Sequence, residues 1–171
     1  MTGASPARSP VRLRWALAAI TVVVYAIDQI TKAIAVESLA PGTSVELFVP
    51  FIELRLIRNP GAAFSLATGV TWVLTLVAAA VVVVVLRSSR RLGSRGWALA
   101  LGLLLGGVLG NLTDRLVRAP GVGRGHVVDF LDYGGLFVGN VADIAIVAAA
   151  IVVAALGVRG IGLDGVRTPR G

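Results

Sequence analysis

Cysteine is absent from the 171 residues, and histidine occurs once, at His126. The first absence excludes disulfides, thiol catalysis and cysteine-based metal sites. The second excludes a histidine-rich metal centre, and no cofactor is expected. Charge is scarce as well, at 15% of residues against about 25% in a soluble domain. Apolar residues take its place: 56% of the chain is hydrophobic and the mean hydropathy is +0.87. One small core cannot enclose that much apolar surface, so the chain requires lipid around it. The net charge of +7 brings nucleic acid to mind. The basic residues are not interleaved with aromatic side chains, however, and membrane topology explains their distribution better. No nucleic-acid partner is expected.

Four apolar stretches approach the roughly 20 residues that a spanning helix needs. They lie at about 15–36, 68–86, 96–113 and 136–158, within one domain covering 1–171. Arg8, Arg12 and Arg14 precede the first. Arg87, Arg90, Arg91 and Arg95 separate the second from the third, and Arg159, Arg167 and Arg170 follow the fourth. Ten of the sixteen Lys and Arg residues thus fall on one side, where Asp164 is the only acid. By the positive-inside rule the tails 1–14 and 159–171 and the middle connection are cytoplasmic. The loops at roughly 37–69 and 114–135 then face outward. A cleaved signal peptide ending near Ser38-Leu39-Ala40 is the other reading of the first span. Its apolar segment exceeds the usual length of about 7–15 residues and ends in a charged pair, so it reads as a retained anchor. In the first outer loop, Val45 to Arg58 is rich in β-branched and aromatic residues between Pro41-Gly42 and Asn59-Pro60-Gly61. This predicts a short sheet on the outer surface. The fold class expected is an all-α membrane protein of four transmembrane helices with a small extracytoplasmic β-sheet.

An ionisable residue in a span costs roughly 2.5–3.5 kcal/mol on insertion scales, so each one calls for a reason. Here they collect at the outer ends of the spans. Asp28 and Lys32 stand four apart on one helical face, where they can pair. Asn111 and Arg115 likewise share a face, with Asp114 beside them, after packing glycines at Gly106, Gly107 and Gly110. Asp129 sits in the β-like stretch Val127–Phe130. Asn140 and Asp143, three apart, open the fourth span, and Ile144 to Val158 beyond them carry no charge. Two carboxylates close together in low dielectric share a proton. One then serves as general base toward water and the other as acid toward a carbonyl, which is aspartic-peptidase chemistry. Spacing alone leaves two alternatives open: a small proton-coupled carrier relaying through Asp28, Asp129 and Asp143, and a scaffold in which the carboxylates hold helices together.

Taken in order, the motifs Asp28-x-x-x-Lys32, Asn59-Pro60-Gly61-Ala62-Ala63-Phe64-Ser65, Gly106-Gly-x-x-Gly-Asn-x-x-Asp-Arg115, Val128-Asp129-Phe130 and Asn140-Val141-Ala142-Asp143 resemble those of bacterial lipoprotein signal peptidase, or signal peptidase II. The resemblance covers roughly residues 15–158. It implies a membrane-embedded aspartic endopeptidase that cuts a prolipoprotein before its diacylglyceryl-modified cysteine. Asp129 and Asp143 match the catalytic aspartates. Asn59, Asn111, Arg115 and Asn140 match substrate-binding or supporting positions, and Asp28, Lys32 and Asp114 structural ones. It further implies lipidated prolipoproteins and membrane lipids as partners, a monomer, the bacterial cytoplasmic membrane with both termini inside, and an outer sheet that cradles the substrate. One departure stands out: Gly139 occupies a position where the family commonly has phenylalanine, which puts the shape of the pocket in question.

Overall fold

The computed structural model describes residues 10–48, 51–61 and 71–168. Four helices carry the fold: α1 (Pro10–Ser38), α2 (Thr71–Ser88), α3 (Arg95–Val117) and α4 (Val141–Val158). All four are long and apolar enough to cross a membrane. Between them lie β1 (Val45–Phe48), β2 (Ile52–Asn59), β3 (Val127–Asp132) and β4 (Val138–Gly139). The strands form one antiparallel sheet in the order β1-β2-β3-β4. The motif residues Ala62-Ala63-Phe64-Ser65 and the start of the second apolar stretch, 68–70, lie outside the described residues.

α3 is the central helix. Half of its apolar window is buried, against about a fifth in each of the others. Its glycines explain why neighbours come so close. A methyl group on Gly106 would stand 2.7 Å from Cβ of Val24, and one on Gly102 2.9 Å from Cβ of Ile20. On the opposite face Gly107 meets the Ala142 carbonyl and Ile146 of α4. In lipid, close backbone packing of this kind replaces the hydrophobic drive that water supplies elsewhere.

The two ends of the bundle differ. At one end Leu13, Leu17, Val85, Leu92, Ala98, Leu101 and Leu105 form a buried cluster. There Arg14 donates to the carbonyls of Ser89 (3.3 Å) and Arg90 (2.8 Å). Trp97 Nε1 donates to the Ile161 carbonyl at 2.9 Å. The start of α1, the α2–α3 connection and the segment after α4 therefore share that end, and most of the basic residues lie there. At the other end the sheet packs on α1 through Ala35, Leu39, Val128 and Phe130.

Two helix limits next to the sheet differ from the sequence expectation, and α1 starts at Pro10, not near 15. α3 runs on to Val117 because Arg118 pairs with Asp114 and caps the last turn, its N–H bonding the Asp114 carbonyl. Asn111, Asp114 and Arg115 are therefore helical. α4 begins at Val141, not near 136, because Asn140 and Asp143 form a reciprocal capping box. Residues 133–137 make a turn instead, closed by Tyr133 N–H to the Phe137 carbonyl at 3.0 Å.

Candidate active site

The register of the sheet brings the first carboxylate to its place. Asn59 pairs with Val127 across the β2–β3 ladder, and Ile57 pairs with Asp129. Side chains alternate along a strand. Val128 and Phe130 therefore turn toward α1 while Asp129 faces the other way, on the same side as Asn59. Asn59 Nδ2 donates to Asp129 Oδ2 at 2.8 Å, and its own Oδ1 accepts the Gly61 N–H at 2.8 Å. The turn that ends β2 thus orients the amide that holds Asp129.

The start of α4 supplies the second. Asn140 Oδ1 accepts the Asp143 N–H at 3.1 Å, and the Asn140 N–H donates to Asp143 Oδ2 at 3.0 Å. The same Asn140 reaches Asp129, its Nδ2 donating to Oδ1 at 2.7 Å. One helix-capping residue therefore ties the two carboxylates together. Asn111 of α3 completes the link: its Nδ2 donates to Asp143 Oδ1 at 2.8 Å, and its Oδ1 accepts from Asn140 Nδ2 at 3.1 Å and Lys32 Nζ at 3.0 Å. All four carboxylate oxygens thus accept an N–H donor, and each keeps a second lone pair.

Beneath this layer lies a fully buried ion cluster. Lys32 Nζ is 2.8 Å from Asp28 Oδ2 and 2.9 Å from Asp114 Oδ2. Asp28 Oδ1 accepts the Ala142 N–H at 2.9 Å, and Asp114 Oδ2 the Val128 N–H at 3.2 Å. Each of these acids grips the backbone beside a candidate catalytic residue, Asp28 next to Asp143 and Asp114 next to Asp129. Arg118 and Gln29, which the motifs did not mark, complete the cluster: Arg118 Nε lies 2.5 Å from Asp114, and Gln29 Nε2 donates to Asp28 Oδ2 at 3.0 Å.

Electrostatics separate Asp129 from an ordinary surface acid. Its pKa is pushed up to about 6, chiefly by burial. The nearby Asp143 carboxylate adds to the rise, while the Asn59 and Asn140 hydrogen bonds and Lys32 oppose it. Arg115 interacts electrostatically with Asp129, Asp143 and Asp114. Its Nη1 touches the Asn111 carbonyl at 3.4 Å, and its buried Nε has no hydrogen-bond partner among the described residues. Also among the described residues, no three His, Asp or Glu side chains converge as a metal-binding group.

Comparison with known proteins shows the family. The sequence profile described as signal peptidase (SPase) II matches residues 20–158. The chain belongs to the signal peptidase II family. It is 54% identical over 145 residues to a lipoprotein signal peptidase of Rhodococcus jostii, covering 85% of this chain and 73% of that protein. It is 53% identical over 141 residues to one from Mycobacterium tuberculosis, covering 82% and 69%. A bacterial membrane enzyme solved by the in meso method at 1.9 Å superposes with a TM-score of 0.72 and 25% identity, over 82% of this chain and 90% of that one.

Every site residue the motifs marked in this signal peptidase II chain lies in or directly under one cluster. The carrier reading finds no support, since Asp28, Asp129 and Asp143 join that cluster at one end of the bundle. Gly139 has a local answer. A Cβ there would stand 3.0 Å from Asp143 Oδ2 and 3.3 Å from the Phe137 ring. Phe137 lies against the glycine and stacks on Tyr133, with ring centroids 4.5 Å apart. Aromatic bulk is therefore present beside Asp143, contributed by a residue two positions earlier. Neither Tyr133 nor Phe137 carries a spacing signal that would have marked it.

Proposed function

We propose that this signal peptidase II removes signal peptides from prolipoproteins as an aspartic endopeptidase, with Asp129 and Asp143 as its catalytic pair. The observation that carries the reading is the single residue Asn140 joining both carboxylates, its side chain donating to Asp129 and its backbone N–H to Asp143. Asp129 is a buried acid with its pKa raised to about 6. Such a pair holds one proton between its members as long as the pH stays below about 6, and the proton belongs to the pair as a unit. Asp129, the more deeply buried member, keeps it. Asp143 takes a proton from water as that water attacks the scissile carbonyl, and Asp129 protonates the carbonyl oxygen. The tetrahedral intermediate collapses as the C–N bond breaks: the proton held by Asp143 passes to the departing amine, and a hydroxyl of the intermediate returns a proton to Asp129 as the carbonyl re-forms. That amine becomes the new N-terminus, on the lipid-modified cysteine. Arg115, whose buried Nε has no partner among the described residues, donates to a substrate carbonyl beside the pair. Asn59, Asn111 and Asn140 orient the carboxylates, and Lys32, Asp28 and Asp114 fix the backbone under them.

The location suits the substrate. Acyl chains hold a diacylglyceryl-cysteine at the membrane surface, and the pair lies at the sheet-bearing end of the helices. The working form is a monomer in the bacterial cytoplasmic membrane, with both termini inside and the sheet outside as a substrate cradle. The test uses purified protein and a diacylglycerylated precursor. Asp129→Asn and Asp143→Asn each lower cleavage by about a thousandfold while leaving a folded protein. Retained cleavage by both folded variants refutes the pair. Equal turnover of lipidated and unlipidated precursor refutes the lipid requirement.

A further inference from the structure

The end of the bundle opposite the sheet carries charge that the chain itself leaves uncompensated. Arg14, Arg90, Arg91, Arg159 and Arg167 are all exposed there, and none of them forms an ion pair among the described residues. The acid at that end, Asp164, bends back on its own turn, its Oδ1 accepting the Val166 N–H at 3.0 Å. All of these cations are arginines. The chain's single lysine, Lys32, is buried at the other end.

The arginines stand on a fixed frame. Leu92, 2% exposed, plugs into the buried cluster of this end, while Arg90 and Arg91 before it stay at the surface. Arg14 donates to the carbonyls of Ser89 and Arg90, so its guanidinium lies against the backbone of Arg90. Residues 160–168 fold back as a hairpin, with Gly162 N–H on the Val166 carbonyl at 2.8 Å and Thr168 N–H on the Gly160 carbonyl at 2.9 Å. Gly93 N–H, donating to the Leu163 carbonyl at 2.9 Å, ties that hairpin to the α2–α3 connection. Within it Arg167 Nε donates to the Arg159 carbonyl at 3.2 Å, which sets a second arginine against the backbone of another. A guanidinium has five N–H groups. Arg14 gives two of them to these carbonyls and Arg167 one, so both keep donors free for an anion.

We propose that this end binds the phosphates of anionic phospholipid headgroups in the leaflet opposite the sheet, which is the cytoplasmic leaflet in the orientation given above. Like charges held together on a rigid frame repel, and an anion between them relieves the repulsion. An arginine fork meets two phosphate oxygens at once, where a lysine offers a point charge. Depth decides for lipid over a soluble phosphate. Trp15, next to Arg14 in sequence, is 73% exposed, and an exposed indole on a spanning helix belongs at headgroup level. Arg12 lies one turn away on the same face of α1, so indole and cation meet the same layer. Each arginine near an anionic surface strengthens binding on the order of fivefold. The proposal does not depend on the catalytic pair, which lies at the other end.

Native mass spectrometry of the full chain in detergent tests it, with phosphatidylglycerol and phosphatidylcholine titrated in turn. Phosphatidylglycerol binds at least about twentyfold more tightly than phosphatidylcholine. Arg90→Gln/Arg91→Gln removes two exposed cations whose side chains hold nothing else among the described residues, and lowers the affinity for phosphatidylglycerol by about twentyfold. Arg58→Gln/Arg124→Gln takes the same charge from the sheet end and leaves that affinity within about twofold. Arg90→Lys/Arg91→Lys keeps the charge without the fork and falls between the wild type and the glutamine pair. Cooperative thermal unfolding shows that each variant is folded, and the comparison of the two lipids needs no variant. Equal binding of the two lipids, or an equal loss in both glutamine pairs, overturns the site. Glycerol phosphate binding as tightly as phosphatidylglycerol overturns the lipid as its ligand. A lysine pair that matches the wild type overturns the part given to the guanidinium fork.

Discussion

At the scale of single residues, the site depends on amides and cations that are themselves held. Lys32 is fully buried against Asp28 and Asp114. Lys32→Ala takes the buried cation from Asp28 and leaves Asp114 with Arg118, and costs about 3–5 kcal/mol. Thermal unfolding in detergent reads the loss, and the variant also loses activity because Asp28 anchors the start of α4. The raised pKa of Asp129 has two consequences with definite signs. The unfolded chain releases this proton near the ordinary carboxylate value of 3.8 and the folded chain near 6. The contribution to stability is therefore greatest below about pH 4 and lost as pH rises through about 6. Activity follows the same proton: if Asp129 is the acid, kcat/KM falls about tenfold per pH unit well above 6. A rate that keeps rising between pH 6 and pH 9 contradicts that assignment. Asp143→Asn removes one cause of the shift, so the Asp129 carboxyl band in infrared titration moves to lower pH. It stays above 3.8 because burial, the larger cause, remains.

At the scale of elements, close helix contact through glycine sets where the proposed catalytic residues meet. Gly106→Val drives a side chain into Val24 and the Thr21 carbonyl, 2.7 and 2.9 Å from the added Cβ. Overpacking of this kind costs about 1–3 kcal/mol. Gly157→Val, where nothing lies within 4 Å of an added Cβ, leaves the melting temperature unchanged by comparison. The pairing of Asp28 with Lys32 was legible because spacing within a helix is local geometry. The β1–β2 hairpin was legible for the same reason, from turn residues around an alternating run. The fourth strand was not, since Val138-Gly139 is too short to show a period and pairs only because β3 lies beside it. The capping role of Asn140 was half visible: its spacing to Asp143 put both on one face, but the reach to Asp129 depends on strand register.

At the scale of the whole molecule, the absence of cysteine makes the topology directly testable. Arg91→Cys lies in the basic connection and Gly121→Cys in the exposed loop before β3. With an impermeant maleimide on intact cells, position 121 labels, and position 91 labels only after the membrane is opened. The reverse pattern overturns the orientation. Composition alone required lipid, and four apolar runs with basic residues between them set the number of spans and the expected orientation, because both follow from sums over local stretches. The ordered motifs marked the residues of the proposed site. Tertiary structure decided what no local stretch contains: that Asn140 joins Asp129 to Asp143, that Asp28 and Asp114 hold the two backbones beneath them, and that Phe137 stands beside Gly139. Those contacts join residues from different elements across distances in sequence of up to 114 positions. They exist only once α3 has drawn α1, α4 and the sheet together.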